Sequence, residues 1–373
     1  MNFVYIGPLN DKSAVNGGYN FIGKNTVDII QEYKRSSPSF NFECVDNTFK
    51  SKGLKRDSYD KSIFLAHPAS FINKDGSIKD FFFKLLSPIK ERYLHIFWET
   101  NPIPKTWLPL LKSDLFQGFV TSSKFVYILL EQENLGKPIY LLPPMIKVGD
   151  YPKIDIDEKL KESIFTCLFV GQRTIRKGFD DAIISFIRAL GDKSDCAFLL
   201  KYHNLTNFKD FDTYLKNLVT TNFIGKFNAS ISSINSDLTN KQMDELYLKS
   251  SLLLFPSRGE GFGLPVVHCA SMNLPIVSNG WSSLDEFKSI PSIHFTDYHV
   301  DCAVGMANHG YEVDSNYAIP SIADTIKKIR EQYSLWKENR LDYYNQSIYN
   351  NIEIERLFGP EVALTSFDKF IKG

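Results

Sequence analysis

The sequence predicts an α/β protein of two domains. Its 373 residues fit two domains of about 100–200 residues each. Apolar runs of strand length alternate with segments of helical period through most of the chain, which is typical of sheets with helices packed on them. The pair Pro143-Pro144 and the polar stretch 147–161 interrupt this alternation. Because two consecutive prolines fit neither a strand ladder nor a helix, we expect the domain boundary near 145–160.

The first half of the chain begins with a predicted strand over 2–6, followed by a loop that ends at Gly17 and Gly18. A helix is predicted over 19–33, because its apolar residues recur at the spacing of one helix face. Further apolar runs predict strands over 62–66, 93–98 and 116–121. We assign residues 1–148 to this N-terminal domain.

The second half repeats the pattern. Strands are predicted over 166–170, 196–201, 252–255 and 275–278, and an amphipathic helix over 180–190. The last stretch is rich in Lys, Glu, Tyr and Asn at helical spacing. We assign residues 149–345 to a C-terminal domain and 346–373 to a C-terminal helical segment.

Composition and charge exclude several classes of protein. The chain has 43 basic and 43 acidic side chains, whereas a nucleic-acid binder normally carries a basic excess. Five dispersed cysteines without a paired spacing favour reduced thiols over a disulfide framework or a zinc site; they are Cys44, Cys167, Cys196, Cys269 and Cys302.

The N-terminus lacks the pattern of a secretory signal, and no window offers about 18 consecutive apolar residues. We expect a cytoplasmic protein without a transmembrane segment; a peripheral membrane contact stays open.

The segment 251–268, SLLLFPSRGEGFGLPVVH, carries the strongest functional signal. An apolar strand ends at Pro256, a glycine-rich loop follows, and Pro265 stands where a helix begins. A loop of this kind directs backbone N–H groups at an anion bound above the helix start, and Glu260 adds a carboxylate at the same place. The alternative is an ordinary turn between a strand and a helix that needs small residues.

This segment resembles the donor-site signature of the family 4 retaining glycosyltransferases, S-R-x-E-G-F-G-L-P-x-x-E-A. The resemblance implies that Glu260 acts at the donor sugar and that the loop around it binds the donor. The implied donor-binding residues are Arg258, Gly261, Phe262, Gly263 and Leu264. The second glutamate of the signature, which binds the ribose, is His268 in this chain.

The segment 169–178, FVGQRTIRKG, is similar to the family's F-V-G-R-x-x-x-x-K-G element, whose cations neutralise the donor diphosphate. Lys177 and Gly178 align with it directly, whereas Gln172 stands at the arginine position with Arg173 and Arg176 nearby. We expect Arg173 and Lys177 to bind the diphosphate, because fixed cations stabilise the charge that develops on a leaving phosphate. A solvated basic loop is the alternative.

Weaker signals point to further residues of the same site. The segments 93–107 and 118–125 look like a pattern found in a subset of these enzymes, which is structural as much as functional. Gly17 and Gly18 fit the family's opening loop and are predicted to bind the donor. His67, at the end of a strand, matches a histidine beside the reacting sugar and is predicted to be catalytic. Lys201 ends a predicted strand at the rim where open α/β sheets bind ligands and is predicted to bind the donor.

The resemblance implies a GT-B architecture, in which two Rossmann-like domains face a cleft and the C-terminal helix crosses back to the first domain. The donor would bind mainly to the second domain and the acceptor mainly to the first. The implied reaction moves a sugar from a nucleotide-diphosphate sugar to a hydroxyl of a glycan or small molecule, with retention of configuration. A catalytically silent nucleotide-sugar-binding protein and an epimerase of the same fold are the alternatives.

No metal or other cofactor is expected. The strings Asp155-Ile-Asp157 and Asp210-Phe-Asp212 have the spacing of a metal-binding motif in another class of glycosyltransferases, but both lie in polar runs and not at the end of an apolar strand. We interpret them as solvated charge.

His268 predicts a pH effect. An imidazole with an ordinary pKa near 6.5 changes charge within the physiological range, so donor affinity is expected to depend on pH between about 5.5 and 7.5.

Overall fold

A computed structural model describes residues 1–9, 18–46, 54, 58–203, 210–305 and 311–373. The chain forms two compact units. Unit 1 comprises Met1–Lys147 and Glu355–Gly373, and unit 2 comprises Val148–Ile354. The predicted division at 345–346 lies nine residues before the end of unit 2 at Ile354.

Within the described residues the strands are β1 Asn2–Gly7, β2 Asn41–Asp46, β3 Tyr59–Leu65, β4 Ile89–Ile96, β5 Gly118–Thr121, β6 Ile139–Leu141, β7 Phe165–Gln172, β8 Cys196–His203, β9 Ser230–Ile234, β10 Leu252–Phe255, β11 Ile276–Asn279, β12 Ile293–Thr296, β13 Tyr298–Cys302 and β14 Asn316–Pro320. The helices are α1 Gly18–Ser36, α2 Asp80–Leu86, α3 Leu108–Lys112, α4 Lys124–Gln132, α5 Ile156–Leu160, α6 Phe179–Leu190, α7 Phe211–Asn222, α8 Asn240–Leu248, α9 Leu264–Ser271, α10 Ile322–Glu338, α11 Arg340–Asn345, α12 Asn350–Phe358 and α13 Pro360–Lys372.

Unit 1 contains a six-stranded parallel sheet in the order β2-β1-β3-β4-β5-β6. The chain adds β2 on one side of β1 and then β3 on the other side. The order of strands therefore reverses between β1 and β3, and the carboxyl ends of strands at such a reversal are where open α/β sheets bind ligands.

The C-terminal helix α13 belongs to the core of unit 1. Ala363, Phe367 and Phe370 recur at helical spacing and are fully buried. The Phe367 ring packs edge-on against Phe3 of β1, with ring centroids 5.8 Å apart. The Tyr33 hydroxyl of α1 donates a 2.9 Å hydrogen bond to Asp368. The helix thus completes the apolar layer on this face of the sheet.

Unit 2 contains a second six-stranded parallel sheet, in the order β12-β11-β10-β7-β8-β9. The chain starts in the middle at β7, runs out to β9, and returns to the other side of β7 with β10. The reversal therefore lies between β7 and β10. An antiparallel hairpin of β13 and β14 precedes α10, which packs against α6.

The predicted α/β fold class is confirmed, and every predicted strand and helix is present with ends shifted by at most four residues. The strands that were not predicted include the half-buried edge strand β2, the more exposed edge strand β9 and the exposed hairpin strand β13. Edge strands bury little side-chain surface and so lack the apolar run that reveals a central strand. The polar stretch predicted as a linker contains the short helix α5. Among the described residues, none of the helices has the length and apolarity needed to cross a membrane.

Candidate functional site

Two loops of unit 2 lie side by side at the strand reversal. One follows β7 and leads to α6, and the other follows β10 and leads to α9. They are neighbours because β10 pairs directly with β7, with Leu252 opposite Cys167 and Leu253 opposite Leu168. The two segments with functional signal in the sequence, 169–178 and 251–268, are therefore brought together at one sheet edge.

Gly178 fixes the approach of the two loops. It has φ +66°, and a Cβ atom there would lie 2.1 Å from the carbonyl oxygen of Pro256. The Arg258 N–H donates to the Arg176 carbonyl at 2.6 Å, and Arg176 Nη1 donates to the Gly259 carbonyl at 2.6 Å. Only glycine combines this backbone conformation with so close a contact.

The loop after β10 ends at Gly263, where α9 starts. Gly263 has φ +98°, and a Cβ atom there would lie 2.8 Å from Leu284 Cδ2. Pro265 occupies the second position of the helix. Proline has no backbone N–H, and in the first turn of a helix this group has no partner within the helix, so its absence costs nothing there. The first turn of α9 gives this end of the loop a partial positive charge.

Glu260 is the centre of the site. It is 5% exposed, and Lys177 Nζ lies 2.7 Å and 2.8 Å from its two carboxylate oxygens. The Ser257 hydroxyl donates to the same carboxylate at 2.5 Å, and Arg176 Nη1 lies 3.8 Å away. Burial alone would raise the pKa of Glu260, but the charges of Lys177 and Arg176 and the hydrogen bonds from Lys177 and Ser257 hold it below its usual value. The carboxylate is ionised at neutral pH.

The backbone of Glu260 is held from the other side by the turn after β11. Its N–H donates to Ser282 Oγ at 2.9 Å, and its carbonyl accepts from Ser283 Oγ at 2.8 Å. The sequence gives no signal for Ser282 or Ser283, because neither belongs to a recognised motif. Ser257 and Arg176 lie inside the two motifs, next to Arg258 and Lys177, but the sequence does not identify them as supports of the carboxylate.

The Arg258 side chain contacts α6 and β14. Its guanidinium donates to the two carboxylate oxygens of Asp181 at 2.9 Å and 3.0 Å and to the Tyr317 hydroxyl at 3.2 Å. The structure therefore pairs this predicted donor-binding residue with a protein carboxylate.

Arg173 and Lys201 lie at the ends of neighbouring strands. Arg173 follows β7, with its guanidinium 4.8 Å from the centroid of the Tyr214 ring. Lys201 belongs to β8 and is buried, with Nζ 3.3 Å from the Tyr202 carbonyl. Burial lowers the pKa of Lys201, with Asp237 opposing the shift. Both cations thus lie on the β7–β8 side of the strand reversal.

His268 lies on the second turn of α9. Its ring centroid is 5.3 Å from that of Tyr151 and 6.0 Å from that of Tyr247. Burial lowers the pKa of His268 to about 4. The premise of the expected pH effect, an imidazole with an ordinary pKa, is therefore wrong: this ring is neutral throughout pH 5.5–7.5.

The predicted residues of unit 1 that the structure describes, Gly18 and His67, lie at its own strand reversal. His67 follows β3, and its Nδ1 accepts from the Ala69 N–H at 3.3 Å, which caps the short turn that follows. Its ring packs edge-on against Trp107, with centroids 5.1 Å apart, and burial lowers the pKa of His67 while Glu99 opposes the shift. Gly18 is the exposed first residue of α1, and Gly17 lies outside the described residues.

A cavity of about 470 Å³ opens at this reversal. Its lining comes from the carboxyl ends of β1 and β3, the first turn of α1, and α2. The described lining residues have aliphatic, aromatic, amide, hydroxyl and imidazole side chains, and none has a carboxylate, ammonium or guanidinium group; they are Pro8, Tyr19, Asn20, Phe64, Ala66, His67, Ser70 and Phe82.

The two D-x-D strings are accounted for by helix capping. Asp155 accepts from the Glu158 N–H at 3.2 Å at the start of α5, and Asp210 accepts from the Thr213 N–H at 2.8 Å at the start of α7. Across the part of the chain that the structure describes, no group of three or more His, Cys, Asp or Glu side chains is arranged to hold a metal ion.

The fold is similar to that of several glycosyltransferases. HepE from Anabaena, solved in complex with UDP and glucose, aligns with a TM-score of 0.62 and 10% identity over 100% of this chain and 99% of HepE. Sucrose-phosphate synthase from Thermosynechococcus elongatus gives a TM-score of 0.65 and 10% identity over 100% and 98%. The pneumococcal O-GlcNAc transferase GtfA aligns with a TM-score of 0.56 and 13% identity, and the alignment covers 84% of this chain and 56% of GtfA. The chain has the GT-B fold of these proteins.

Sequence comparison finds a short similarity to curated proteins. A stretch of 58 residues is 36% identical to the serotype-specific mannosyltransferase WbdA of Escherichia coli, and it spans 16% of this chain and 7% of WbdA. No protein-family model matches the chain.

Proposed function

We propose that this chain is a retaining glycosyltransferase, which moves a sugar from a nucleotide-diphosphate sugar to an acceptor hydroxyl without a metal ion. The observation that carries the proposal is the ion pair of Lys177 with the buried Glu260 at the strand reversal of unit 2. It places a cation and an ionised carboxylate together beside the first turn of a helix. This is the set of groups that a donor with a diphosphate and sugar hydroxyls requires.

Unit 2 holds the donor in this proposal. Lys177 and Arg173 neutralise the diphosphate, together with the first turn of α9 and the backbone of 261–264. Lys201 lies at the same edge of the sheet and adds positive charge there. Glu260 accepts hydrogen bonds from hydroxyls of the donor sugar, for which its low pKa is suited because an ionised carboxylate only accepts. The donor then competes for the ammonium of Lys177, so that the Lys177–Glu260 contact loosens as the donor binds.

The proposed reaction is a displacement on one face of the sugar. The bond from the anomeric carbon to the diphosphate breaks, and the bond from the acceptor oxygen forms on the same face. The acceptor proton passes to an oxygen of the leaving phosphate. Lys177 stabilises the negative charge that this phosphate gains. Its contact with the phosphate is therefore stronger in the transition state than in the ground state.

The cavity of unit 1 holds the acceptor in this proposal. Its described lining offers aromatic faces, an amide and a hydroxyl, which suit the apolar faces and hydroxyls of a sugar. The lowered pKa of His67 keeps its ring neutral at pH 7. Its Nδ1 already accepts from the backbone, so the proton is on Nε2 and can be donated to a sugar oxygen.

A catalytically silent nucleotide-sugar-binding protein is the second candidate. His268 favours it, because a neutral ring stands where the related signature has a carboxylate. Both candidates predict donor binding, and only the first predicts turnover. An epimerase would convert the donor sugar without an acceptor.

The first experiment is a thermal-shift screen with UDP-, GDP-, ADP- and dTDP-sugars. UDP-glucose is included because a structure of HepE contains it, and a mannosyl donor because WbdA is a mannosyltransferase. A donor at 100 times its Kd adds about 2.7 kcal/mol to the free energy of unfolding. The best donor is then assayed for hydrolysis, epimerisation and transfer to glycan acceptors.

The second experiment compares Lys177→Met and Glu260→Gln with a matched control. Each should lower turnover by about 10²-fold or more, as expected when a transition-state contact is lost. Lys159→Met is the control, because Lys159 also forms a buried ion pair in unit 2, with Glu162 at 2.7 Å. Full turnover in folded Lys177→Met and Glu260→Gln would refute the donor site. Donor binding without any turnover in the wild type would favour the silent protein.

A further inference from the structure

Arg258 connects the loop after β10 to two other elements. Its guanidinium forms the two hydrogen bonds to Asp181 of α6 and lies 5.3 Å from the centroid of the Tyr317 ring on β14. Its own N–H donates to the Arg176 carbonyl, and its carbonyl accepts from the Ala318 N–H at 2.9 Å. Both the side chain and the backbone of this residue are therefore fixed.

The β13–β14 hairpin contacts both loops of the proposed donor site. Tyr317 is 2% exposed, and its hydroxyl accepts from Arg258 and donates to the Val304 carbonyl at 3.3 Å. Next along the chain, Gly305 approaches the loop after β7 so closely that a Cβ atom would lie 2.7 Å from Ile175 Cδ1. The hairpin is separate from the six-stranded sheet, and these contacts are where it meets the two loops.

The geometry leaves Arg258 poorly placed to bind a phosphate. Three of its nitrogen atoms already donate to Asp181 and Tyr317, and the side chains of Arg258 and Asp181 are 16% and 14% exposed. A phosphate would have to displace a carboxylate from a two-bond, largely desolvated pair. The same contacts hold Arg258 in place within the loop that carries Ser257 and Glu260.

We infer that Arg258, Asp181 and Tyr317 form a clamp through which the β13–β14 hairpin positions the loop 256–263. Arg258 is then a positioning residue and not a donor ligand. The effect of the clamp on turnover rests on the proposed function, whereas its effect on the loop does not.

The first test measures amide hydrogen exchange of the protein alone. Tyr317→Leu and Asp181→Asn should speed exchange in peptides that cover 256–263 by about tenfold, which corresponds to about 1.4 kcal/mol at 25 °C. Tyr317→Phe keeps the ring beside the guanidinium and should restore most of the protection. The matched control is Arg340→Lys, because Arg340 also stacks on an aromatic ring of unit 2, at 4.0 Å from the Trp336 centroid.

Exchange that is unchanged in 256–263 would overturn the clamp. So would an equal acceleration throughout unit 2, since it would mean that the three residues only contribute to global stability. Arg340→Lys should leave the loop protected.

The second test separates positioning from ligand binding, with the nucleotide sugar that stabilises the wild type most in the thermal-shift screen. Arg258→Ala, Asp181→Asn and Tyr317→Leu should each lower kcat about tenfold and change KM less than about threefold. The double variant Arg258→Ala/Asp181→Asn should be no slower than the slower single variant, because the residues act as a unit. A large rise in KM for Arg258→Ala, with normal kinetics for Asp181→Asn, would instead make Arg258 a donor ligand. If no nucleotide sugar binds, the proposed function fails and hydrogen exchange alone decides the clamp.

Discussion

Lys177 Nζ contacts both carboxylate oxygens of Glu260, at 2.7 Å and 2.8 Å, although the two residues lie 83 positions apart in the sequence. The pair joins the loop after β7 to the loop after β10. A carboxylate this deeply buried is stable only because the cation and the Ser257 hydroxyl replace the water it has lost. The contact therefore serves the fold as well as the proposed chemistry.

The first prediction concerns the stability of this pair. Lys177→Met leaves the Glu260 charge buried and should lower the free energy of unfolding by about 3–5 kcal/mol. Adding Glu260→Gln removes that charge, so the double variant should be more stable than Lys177→Met alone. Urea denaturation of the two single variants and the double variant measures the coupling. Additive losses would show that the two side chains do not interact in solution.

The second prediction concerns Gly178. Gly178→Ala should lower the free energy of unfolding by roughly 2–4 kcal/mol, because the new Cβ adds a clash to the left-handed backbone. Gly136 is the matched control: its φ is +64°, close to the +66° of Gly178, but nothing lies within 4 Å of a Cβ there. Gly136→Ala should lower the free energy of unfolding only by the cost of placing alanine in a left-handed backbone conformation, without the cost of a clash. Equal losses in the two variants would mean that the loop shifts to make room at Pro256.

The sequence predicts the central strands and the two motif loops, but not the contacts that hold the site together. β10 was predicted at its observed bounds because a buried strand shows as an unbroken apolar run. The proximity of Lys177 and Glu260 follows from the strand order β10-β7, which local pattern does not encode. The pairing of Arg258 with Asp181 and Tyr317 depends on a hairpin whose outer strand β13 is entirely exposed and has no apolar signal. The lowered pKa of His268 results from its burial, which tertiary packing produces and the local sequence does not show.

The third prediction concerns Lys61, which holds the end of α13 in unit 1. Its Nζ donates to the Phe370 carbonyl at 2.8 Å and lies 3.2 Å from Glu91 Oε2, with the side chain 4% exposed. Lys61→Met should lower the free energy of unfolding by about 1–3 kcal/mol, because it leaves a buried carbonyl without its donor. Lys90→Met breaks the exposed Lys90–Asp60 pair and should lose less than about 1 kcal/mol. An equally small loss at Lys61 would show that the helix end is held by its apolar contacts alone.

The fourth prediction concerns metal ions. Chelation with EDTA should leave donor binding and turnover unchanged, because Lys177, Arg173 and the start of α9 supply the positive charge in the proposed site. The measurement is turnover after dialysis against EDTA, with and without added Mn²⁺ or Mg²⁺. A complete loss that either ion reverses would contradict the proposed metal-independent reaction.

The last prediction concerns pH. Burial lowers the pKa of His268 to about 4 and that of His95 to about 3, from an ordinary value of 6.5. In the unfolded chain both rings take up a proton as the pH falls through 6.5, whereas in the folded protein they stay neutral down to the lower values. The unfolded state therefore binds more protons in this window. The free energy of unfolding should fall with decreasing pH, by up to about 1.4 kcal/mol per pH unit for each histidine.

Urea denaturation at pH 7, 6, 5 and 4.5 measures this slope. His268→Gln and His95→Gln should each make it shallower, since each removes one group that protonates only on unfolding. His299→Gln is the control, because His299 lies on the exposed strand β13. Because the His268 ring stays neutral between pH 5.5 and 7.5, it should add no pH dependence to donor affinity in this range, and His268→Gln should leave the pH profile of donor affinity unchanged there. If His268→Gln leaves the pH dependence of the free energy of unfolding unaltered, the His268 ring is solvated in the folded protein and titrates near neutral pH.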